Sequence, residues 1–257
     1  MSPVNTKTNT INTTRTIAAA AGTDTDTEPS TSNSQLRIEN LSEATSRGAP
    51  AIPHAFLPQP PFRMVVCGAS HSGKSNMLKN FLTRDVYGYR RHFKKDVIIF
   101  SKTLGLDRTW NGLALPATHM YGEWDDETVR EIMAYSKARK NGVLLLLDDL
   151  ISDTGAFNKR NSNLLTELFY TGRHYNISLV ITTQRLHAVP SGMLSNCSQM
   201  IVFALKTRRE RDAFLENVNS FEDLEGKYKY AVREPFAFCY LNLATGKVYR
   251  NFEEELT

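Results

Sequence analysis

The sequence predicts an α/β fold in which helices cover both sides of a mostly parallel β-sheet. Three observations lead to this prediction. Short hydrophobic runs alternate with segments of helical periodicity between residues 62 and 252. Several of these runs lack the polar–apolar alternation of a half-exposed strand, which indicates burial on both faces. The chain has 257 residues, of which 41% are hydrophobic, so it is large enough for one sizeable core.

The N-terminal part of the chain differs in composition from the rest. Residues 1–49 are polar, rich in Thr, Asn and Ser, and lack apolar periodicity, so we expect a disordered tail. Residues 50–61 contain five prolines, which predicts an extended lead-in to a folded domain at 62–257. Ala18–Ala21 is too short for a signal-peptide core, and the protein is not expected to be secreted. No apolar run approaches the roughly 18 residues of a membrane span, so no membrane partner is expected.

Cysteine usage and charge narrow the class of protein further. Cys67, Cys197 and Cys239 are dispersed, with no C-x-x-C spacing, which indicates a reducing compartment and no zinc knuckle. The first 50 residues carry four basic and five acidic side chains. The remainder carries 27 basic and 22 acidic side chains, a net charge of +5. A mildly basic domain is compatible with a polyanionic partner but does not identify one.

The individual elements follow from local signals. The segment 125–140 has acidic residues at its start and basic residues at its end, as the helix dipole favours, and Gly142 ends it. Two runs at the C-terminus are joined through Ala244-Thr245-Gly246, which indicates a β-hairpin. The predicted strands are 63–67, 96–101, 143–147, 178–182 and 200–205; the predicted helices are 73–84, 125–140, 161–171 and 207–217; the predicted hairpin pairs 236–243 with 247–252.

A glycine motif, G-x-x-x-x-G-K-S, lies between the first strand and the first helix. Its glycines let several backbone N–H groups point at one phosphate chain, next to the positive end of a helix. Lys74 would contact the β- and γ-phosphates of ATP, and Ser75 would offer its hydroxyl to Mg²⁺. The alternative, a chance match on a glycine turn, is disfavoured by the strand before it and the apolar helix face after it. The predicted nucleotide-binding residues are Gly68, Ala69, Ser70, His71, Ser72, Gly73, Lys74, Ser75 and Asn76.

Two acidic residues follow the buried run Val143–Leu147. The carboxyl end of this strand should lie at the same sheet edge as the glycine motif. Asp148 is then expected to hold Mg²⁺ through water, and Asp149 to act as the general base on the attacking water. The alternative is that the pair only caps the element that follows.

The next predicted strand ends at Gln184, and Arg173 precedes it. Gln184 can sense the γ-phosphate or orient water, although by itself it could equally be an ordinary polar residue at a strand end. Arg173 could neutralise the end of the preceding helix, or it could complete the site of a neighbouring subunit. The sequence alone leaves both readings of Arg173 open. His174 is expected to be structural.

These motifs together resemble the genome-packaging ATPases of large DNA viruses, virophages and Polinton-like elements, a branch of the FtsK/HerA superfamily. The matching residues are Val66-Cys67-Gly68, Gly73-Lys74-Ser75, Leu145–Asp149, Arg173–Ser178 and Thr183-Gln184. The resemblance covers about residues 60–252. It implies a RecA-like sheet with an additional strand between the P-loop strand and the acidic strand. It also implies a homo-oligomeric ring and ATP-driven movement of double-stranded DNA into a capsid, with a capsid or portal protein as a possible partner.

The resemblance also implies roles for Lys74, Ser75, Asp148, Asp149, Gln184 and Arg173, and a location in the virion or at the intracellular site of virus assembly. Many relatives in the wider superfamily have glutamate where this chain has Asp149. Aspartate is one methylene shorter, so the attacking water must take a slightly different position.

Three stretches could contact DNA. The segment 87–95 interleaves basic and aromatic residues, which can grip phosphates and stack on bases, but it could equally be a solvated loop. Lys102 follows a predicted strand and could project into a channel. The segment 206–211 is basic, although its glutamate favours a solvated helix face or a contact between subunits. Binding is expected to be independent of DNA sequence and to depend steeply on salt.

Other functions share part of this pattern. A translocase of a plasmid or mobile element would have the same active site and differ in its genomic neighbourhood. A small-molecule kinase would need a substrate lid with clustered arginines, which the sequence does not indicate, and an acceptor other than water. A nucleotide switch of the GTPase type is disfavoured because the pattern N-K-x-D is missing from the sequence.

Overall fold

The computed structural model describes residues 51–257 except 105–107, 111–112, 114, 117–118, 151–161 and 219. The tail predicted for residues 1–49 lies outside the described residues. A nine-stranded sheet forms the centre of the part that is described. Its strands are β1 (Arg63–Cys67), β2 (Val97–Ser101), β3 (Met120–Tyr121), β4 (Val143–Asp148), β5 (Ile177–Thr183), β6 (Gln199–Phe203), β7 (Phe238–Asn242), β8 (Lys247–Arg250) and β9 (Glu254–Leu256).

The strand order is β3-β2-β4-β5-β1-β6-β7-β8-β9. The pairs among the first six strands in this order are parallel, and the last three strands join antiparallel. Strand β5 lies between β1 and β4, so the additional strand that the resemblance implies is present. The predicted α/β class with a mostly parallel sheet is confirmed. The predicted C-terminal hairpin is β7–β8, and the short strand β9 extends it by pairing with β8.

Helices cover both faces of the sheet, and the alternation of side chains along the strands separates two hydrophobic cores. Val65, Leu145 and Ile181 face the core formed with α3 to α7, whereas Val66 and Leu146 face the core formed with α1 and α2. The helices are α1 (Lys74–Thr83), α2 (Tyr89–Phe93), α3 (Asp126–Lys137), α4 (Ser162–Thr171), α5 (Ser191–Leu194), α6 (Arg208–Asn217) and α7 (Leu224–Ala231). All six residues of β4 are buried, as the absence of alternation predicts.

Local capping explains where several helices begin. The side chain of Asp125 accepts a hydrogen bond from the backbone N–H of Thr128 and caps α3. Thr207 caps α6 in the same way, by accepting from the N–H of Glu210. Short 3₁₀ turns connect other elements, among them Arg108–Trp110, Gly172–Tyr175 and Leu186–Ala188.

The proline-rich segment before β1 packs against the domain. Ile52 and Leu57 are buried in the core that contains α1 and α2. The carbonyl oxygen of Phe56 accepts hydrogen bonds from the Tyr240 hydroxyl at 2.7 Å and from the Asn242 side chain at 3.2 Å. The lead-in expected from the prolines is therefore part of the folded core.

The three cysteines are free and buried. Burial raises the pKa of the Cys67, Cys197 and Cys239 thiols to about 12, so they carry little thiolate at neutral pH. Among the described residues, no helix combines the length and apolar character that crossing a membrane requires.

Candidate functional site

The glycine motif runs from the end of β1 to the start of α1. Gly73 adopts a left-handed conformation with φ of 99° immediately before the helix, where a side chain would be strained. Gly68 is needed for a different reason. A Cβ built on it would lie 2.7 Å from the Cβ of Phe203 in the neighbouring strand. Glycine at position 68 therefore lets the loop pack closely against β6.

Two polar groups of this loop fit a phosphate ligand. The Ser72 hydroxyl is buried and has no hydrogen-bond partner among the described residues. A buried hydroxyl without a partner is unfavourable, and a phosphate oxygen would supply one. The backbone of the loop supplies the remaining N–H donors next to the N-terminus of α1.

The ammonium of Lys74 is buried and bound to the loop itself. Its Nζ donates to the carbonyl oxygens of Gly68 at 2.8 Å and Ala69 at 2.9 Å. Burial lowers the pKa of Lys74, and the nearby carboxylates of Asp149 and Asp148 oppose this shift. A phosphate chain would bring further negative charge. The ammonium would interact more favourably with the phosphate oxygens than with the two neutral carbonyl oxygens, so we expect it to move to the phosphates.

Asp148 ends β4 and is held in place by three neighbouring side chains. Its Oδ1 accepts from the Thr182 hydroxyl at 2.8 Å. Its Oδ2 accepts from the indole N–H of Trp110 at 3.0 Å and, more weakly, from the Ser101 hydroxyl at 3.4 Å. The carboxylate oxygens keep lone pairs free for a metal-bound water. A site with Ser75, Asp148 and phosphate oxygens matches the donors that Mg²⁺ prefers.

Asp149 lies just beyond the strand in a left-handed conformation with φ of 54°. Its N–H donates to the Thr182 hydroxyl at 2.9 Å, so Thr182 links the backbone of one acid to the carboxylate of the other. The Gln184 side-chain amide donates to Asp149 Oδ2 at 2.6 Å. The carboxylate is thereby oriented by a residue from the adjacent strand end.

These residues share one cleft of about 620 Å³ at the carboxyl edge of the sheet. Its lining brings together most of the residues predicted from the sequence. It also includes Thr103, Thr109 and Phe236, which no sequence motif predicts. The predicted residues that line the cleft are Ser70, His71, Ser72, Gly73, Lys74, Ser75, Asn76, Asp148, Asp149 and Gln184.

Several contributors to the site carry weak or no sequence signals. Thr182 could have been noticed, because a polar side chain near the end of a buried strand is uncommon. Trp110 and Ser101 reach Asp148 only through the tertiary fold. Phe236 precedes β7, far from every motif in the sequence.

Arg173 does not join the cleft. It is exposed, and it lies in the 3₁₀ turn before β5, whereas Gln184 follows the end of the same strand. A seven-residue strand spans about 20 Å, so Arg173 is at the opposite edge of the sheet. Its charge helps to lower the pKa of Arg63, at the start of β1, after the larger effect of burial.

The basic and aromatic segment 87–95 is neither a base-stacking surface nor a solvated loop. It contains α2, and the rings of Tyr89 and Phe93 are buried in the core. The Tyr89 hydroxyl donates to the carbonyl oxygen of Pro58 at 2.7 Å. Arg90 and Arg91 remain exposed and can still meet phosphates.

The sequence predicts a solvated helix face or a subunit contact for the basic segment 206–211. Its glutamate does not lie on a solvated face. Glu210 is buried, and its carboxylate accepts from the N–H of Leu186 at 2.7 Å and pairs with His187. It therefore attaches α6 to the turn that follows Gln184.

The fold and the cleft together define a P-loop NTPase with an additional strand beside the P-loop strand. The model of the family described as Poxvirus A32 protein matches residues 124–234, a range that includes β4, β5, Asp148, Asp149 and Gln184. The match covers less than half of the chain, and it agrees with the resemblance to viral packaging ATPases. The predicted fold is confirmed.

Solved structures of other proteins have the same fold. The genome packaging NTPase B204 from Sulfolobus turreted icosahedral virus 2, in complex with ATP-gammaS, is 17% identical, with a TM-score of 0.55 over 74% of this chain and 96% of that one. The DNA-packaging ATPase B204 from Sulfolobus turreted icosahedral virus gives the same values. At this identity the likeness establishes the fold.

The uncharacterized protein 015R of Frog virus 3 (isolate Goorha) is 23% identical over 165 residues. The match covers 62% of this chain and 48% of that protein. This chain therefore spans about half the length of the curated relative that it matches.

Proposed function

We propose that the protein hydrolyses ATP with Mg²⁺ and uses the energy to move double-stranded DNA into a viral capsid. The observation that carries this proposal is the contact between Gln184 and Asp149, beside Asp148 and facing the phosphate-binding loop across one cleft. A carboxylate oriented in this way suits a water molecule as the acceptor of the phosphoryl group.

The main polar residues of the cleft each have a chemical part in this proposal. The loop N–H groups and the Ser72 hydroxyl bind phosphate oxygens, and Lys74 leaves the carbonyls of Gly68 and Ala69 to join them. Ser75 and Asp148 would hold Mg²⁺, which neutralises charge that develops on the phosphates. Asp149 accepts the proton of the attacking water while Gln184 holds its carboxylate in place.

The proposed DNA-packaging role rests on the named relatives. B204 is described as a DNA-packaging ATPase, and this chain has the same fold over 96% of that protein. We extend the DNA-packaging role to this chain. From the resemblance carried by the sequence motifs we further propose a homo-oligomeric ring that acts at the intracellular site of virus assembly or in the virion, with a capsid or portal protein as partner. In such a ring Arg173, which is remote from the cleft of its own chain, would reach the cleft of a neighbour.

ATP hydrolysis with and without long double-stranded DNA tests the proposal. Strong stimulation by DNA that is lost in Lys74→Ala is expected. Asp149→Asn should lower turnover about 10²- to 10⁴-fold and leave ATP binding nearly unchanged, because only proton transfer is affected. A rate of ATP hydrolysis that does not change with DNA would contradict the proposed translocase function. Turnover that needs a small-molecule acceptor would favour the alternative that the protein is a kinase. Unchanged turnover in Asp149→Asn would remove Asp149 from catalysis.

A further inference from the structure

Phe236 is an exposed aromatic residue at the mouth of the phosphate-binding cleft. Its side chain is 71% exposed, more than any other large apolar side chain that the structure describes. It lines the same cleft as Lys74 and Asp148. An apolar ring left open to water beside a ligand cleft is a frequent feature of ligand-binding sites.

The ring lies against the start of α1. A Cβ built on Gly73 would lie 3.3 Å from Cδ1 of Phe236, and 3.8 Å from the ring of Phe203 behind it. Position 73 must therefore stay small for the ring to rest there. The packing places a flat apolar surface directly beside the loop that would bind the phosphates.

The backbone of Phe236 adopts a disfavoured conformation in this outward orientation. Phe236 has φ of 66°, in the left-handed region that residues with a Cβ disfavour. The next residues, Ala237 and Phe238, are buried at the start of β7. Phe236 is thus turned away from the core that its two neighbours enter.

We propose that Phe236 stacks on the base of the bound nucleotide. The proposal rests on the proposed function, because it assigns the base-binding part of the same site. A nucleobase presents a flat π-face that an aromatic ring covers well. A phenylalanine ring offers no hydrogen bond to distinguish one base from another, so GTP should bind nearly as well as ATP.

The test compares ligands that have a base with one that lacks it. The dissociation constants of ATP, GTP and inorganic tripolyphosphate, each with Mg²⁺, are measured for the full chain and for Phe236→Ala. Loss of the stack is expected to weaken ATP and GTP about tenfold and to leave tripolyphosphate unchanged. Phe236→Tyr, which keeps a stacking ring, should bind ATP as the unchanged protein does.

Val86→Ala provides the matched control, since Val86 is also an exposed apolar residue, at 52%, and does not line the cleft. Equal weakening of tripolyphosphate and ATP in Phe236→Ala would overturn the proposal, because Phe236 would then act through the loop. Unchanged ATP affinity together with altered sedimentation would also overturn it and assign the ring to a contact between copies. If the unchanged protein and Lys74→Ala both fail to bind ATP, the proposed function itself fails.

Discussion

Thr182 joins the two acidic residues of the cleft through one hydroxyl group. It donates to the Asp148 carboxylate and accepts from the N–H of Asp149, so the position of one acid depends on the other. Gln184 directly follows the end of β5, and its side-chain amide donates a hydrogen bond to the Asp149 carboxylate. A buried hydrogen-bonded network of this kind fixes geometry that isolated side chains would lose.

Trp110 gives a direct test of how Asp148 is positioned. Trp110→Phe removes the indole N–H donor to Asp148 and keeps an aromatic ring. We expect the Mg²⁺ concentration for half-maximal ATP hydrolysis to rise about 10- to 100-fold, as for other partners that orient metal ligands. The measurement is a Mg²⁺ titration of turnover at saturating ATP.

The second tryptophan of the chain supplies the control. Trp124 also donates its indole N–H to a carboxylate, that of Asp126 at 2.7 Å, and it does not line the cleft. Trp124→Phe should therefore leave the Mg²⁺ dependence unchanged. Equal shifts in both variants would mean that the effect is general destabilisation and not the positioning of Asp148.

The residues of the site differ in how far the sequence could predict them. Lys74 and Asp148 belong to local motifs whose spacing follows from backbone geometry, and they lie at one sheet edge as expected. Trp110 could not be predicted, because its contact joins positions 38 residues apart in an irregular segment. The sequence allows two roles for Arg173, and the direction of β5 separates it from the cleft of its own chain.

At the scale of elements, the turn before β5 ties together α3, β4 and β5. The carbonyl oxygen of Asn176 accepts from the N–H of Val143 at 3.1 Å and from the Ser136 hydroxyl at 3.1 Å. Its side chain donates to the carbonyl oxygen of Arg139 at 2.9 Å. Asn176 belongs to the motif that carries the family resemblance, yet its contacts are structural.

Gly142 packs closely against the backbone of Asn176, where no side chain would fit. Its φ is 69°, and a Cβ there would lie 2.1 Å from the carbonyl oxygen of Asn176. Gly246 has the same backbone conformation, with φ of 70°, but a Cβ there would meet nothing within 4 Å. Gly246→Ala should therefore lower the free energy of unfolding by about 1 to 2 kcal/mol through strain alone.

Gly142→Ala should lower the free energy of unfolding by about 1 to 3 kcal/mol more than Gly246→Ala does, because the backbone oxygen of Asn176 must also move. Urea denaturation of the two variants measures the difference. Equal losses would contradict the close packing of Asn176 against this turn.

The elements that the sequence missed are those with weak local signals. Helix α7 buries Leu224, Tyr228 and Ala231 at helical spacing, but it is short and contains Gly226. Strand β9 has the sequence Glu-Glu-Leu, which has little strand preference, and pairing with β8 decides its conformation. The long buried strands were predictable because a continuous hydrophobic run is stable as a strand only where both faces of the sheet are covered by helices.

At the scale of the whole molecule, the proposed function requires a connection between the hydrolytic site and a surface that would bind DNA. Among the described residues, hydrogen bonds join the cleft to α6. Gln184 contacts Asp149, and the turn Leu186–Ala188 that follows it is bound to Glu210 of α6. Arg208 and Arg209 begin this helix and are exposed at the carboxyl edge of the sheet.

We therefore expect the DNA contact to involve α6. Each phosphate that a basic residue neutralises adds about 0.9 to the slope of log affinity against log salt. The double variant Arg208→Gln, Arg209→Gln should lower this slope by up to about 2 and weaken the stimulation of ATP hydrolysis by DNA. Basal hydrolysis should persist, because neither residue lines the cleft.

Arg90 and Arg91 form a matched pair on α2, exposed and adjacent in sequence, in the segment that the sequence had marked as a possible DNA contact. No described hydrogen bond joins them to the turn after Gln184, and the aromatic rings beside them are buried. Arg90→Gln with Arg91→Gln should thus leave both the salt slope and the stimulation unchanged. If this pair lowered the slope and the pair on α6 did not, DNA would contact the surface that carries α2, and the connection through Glu210 would have no part in movement.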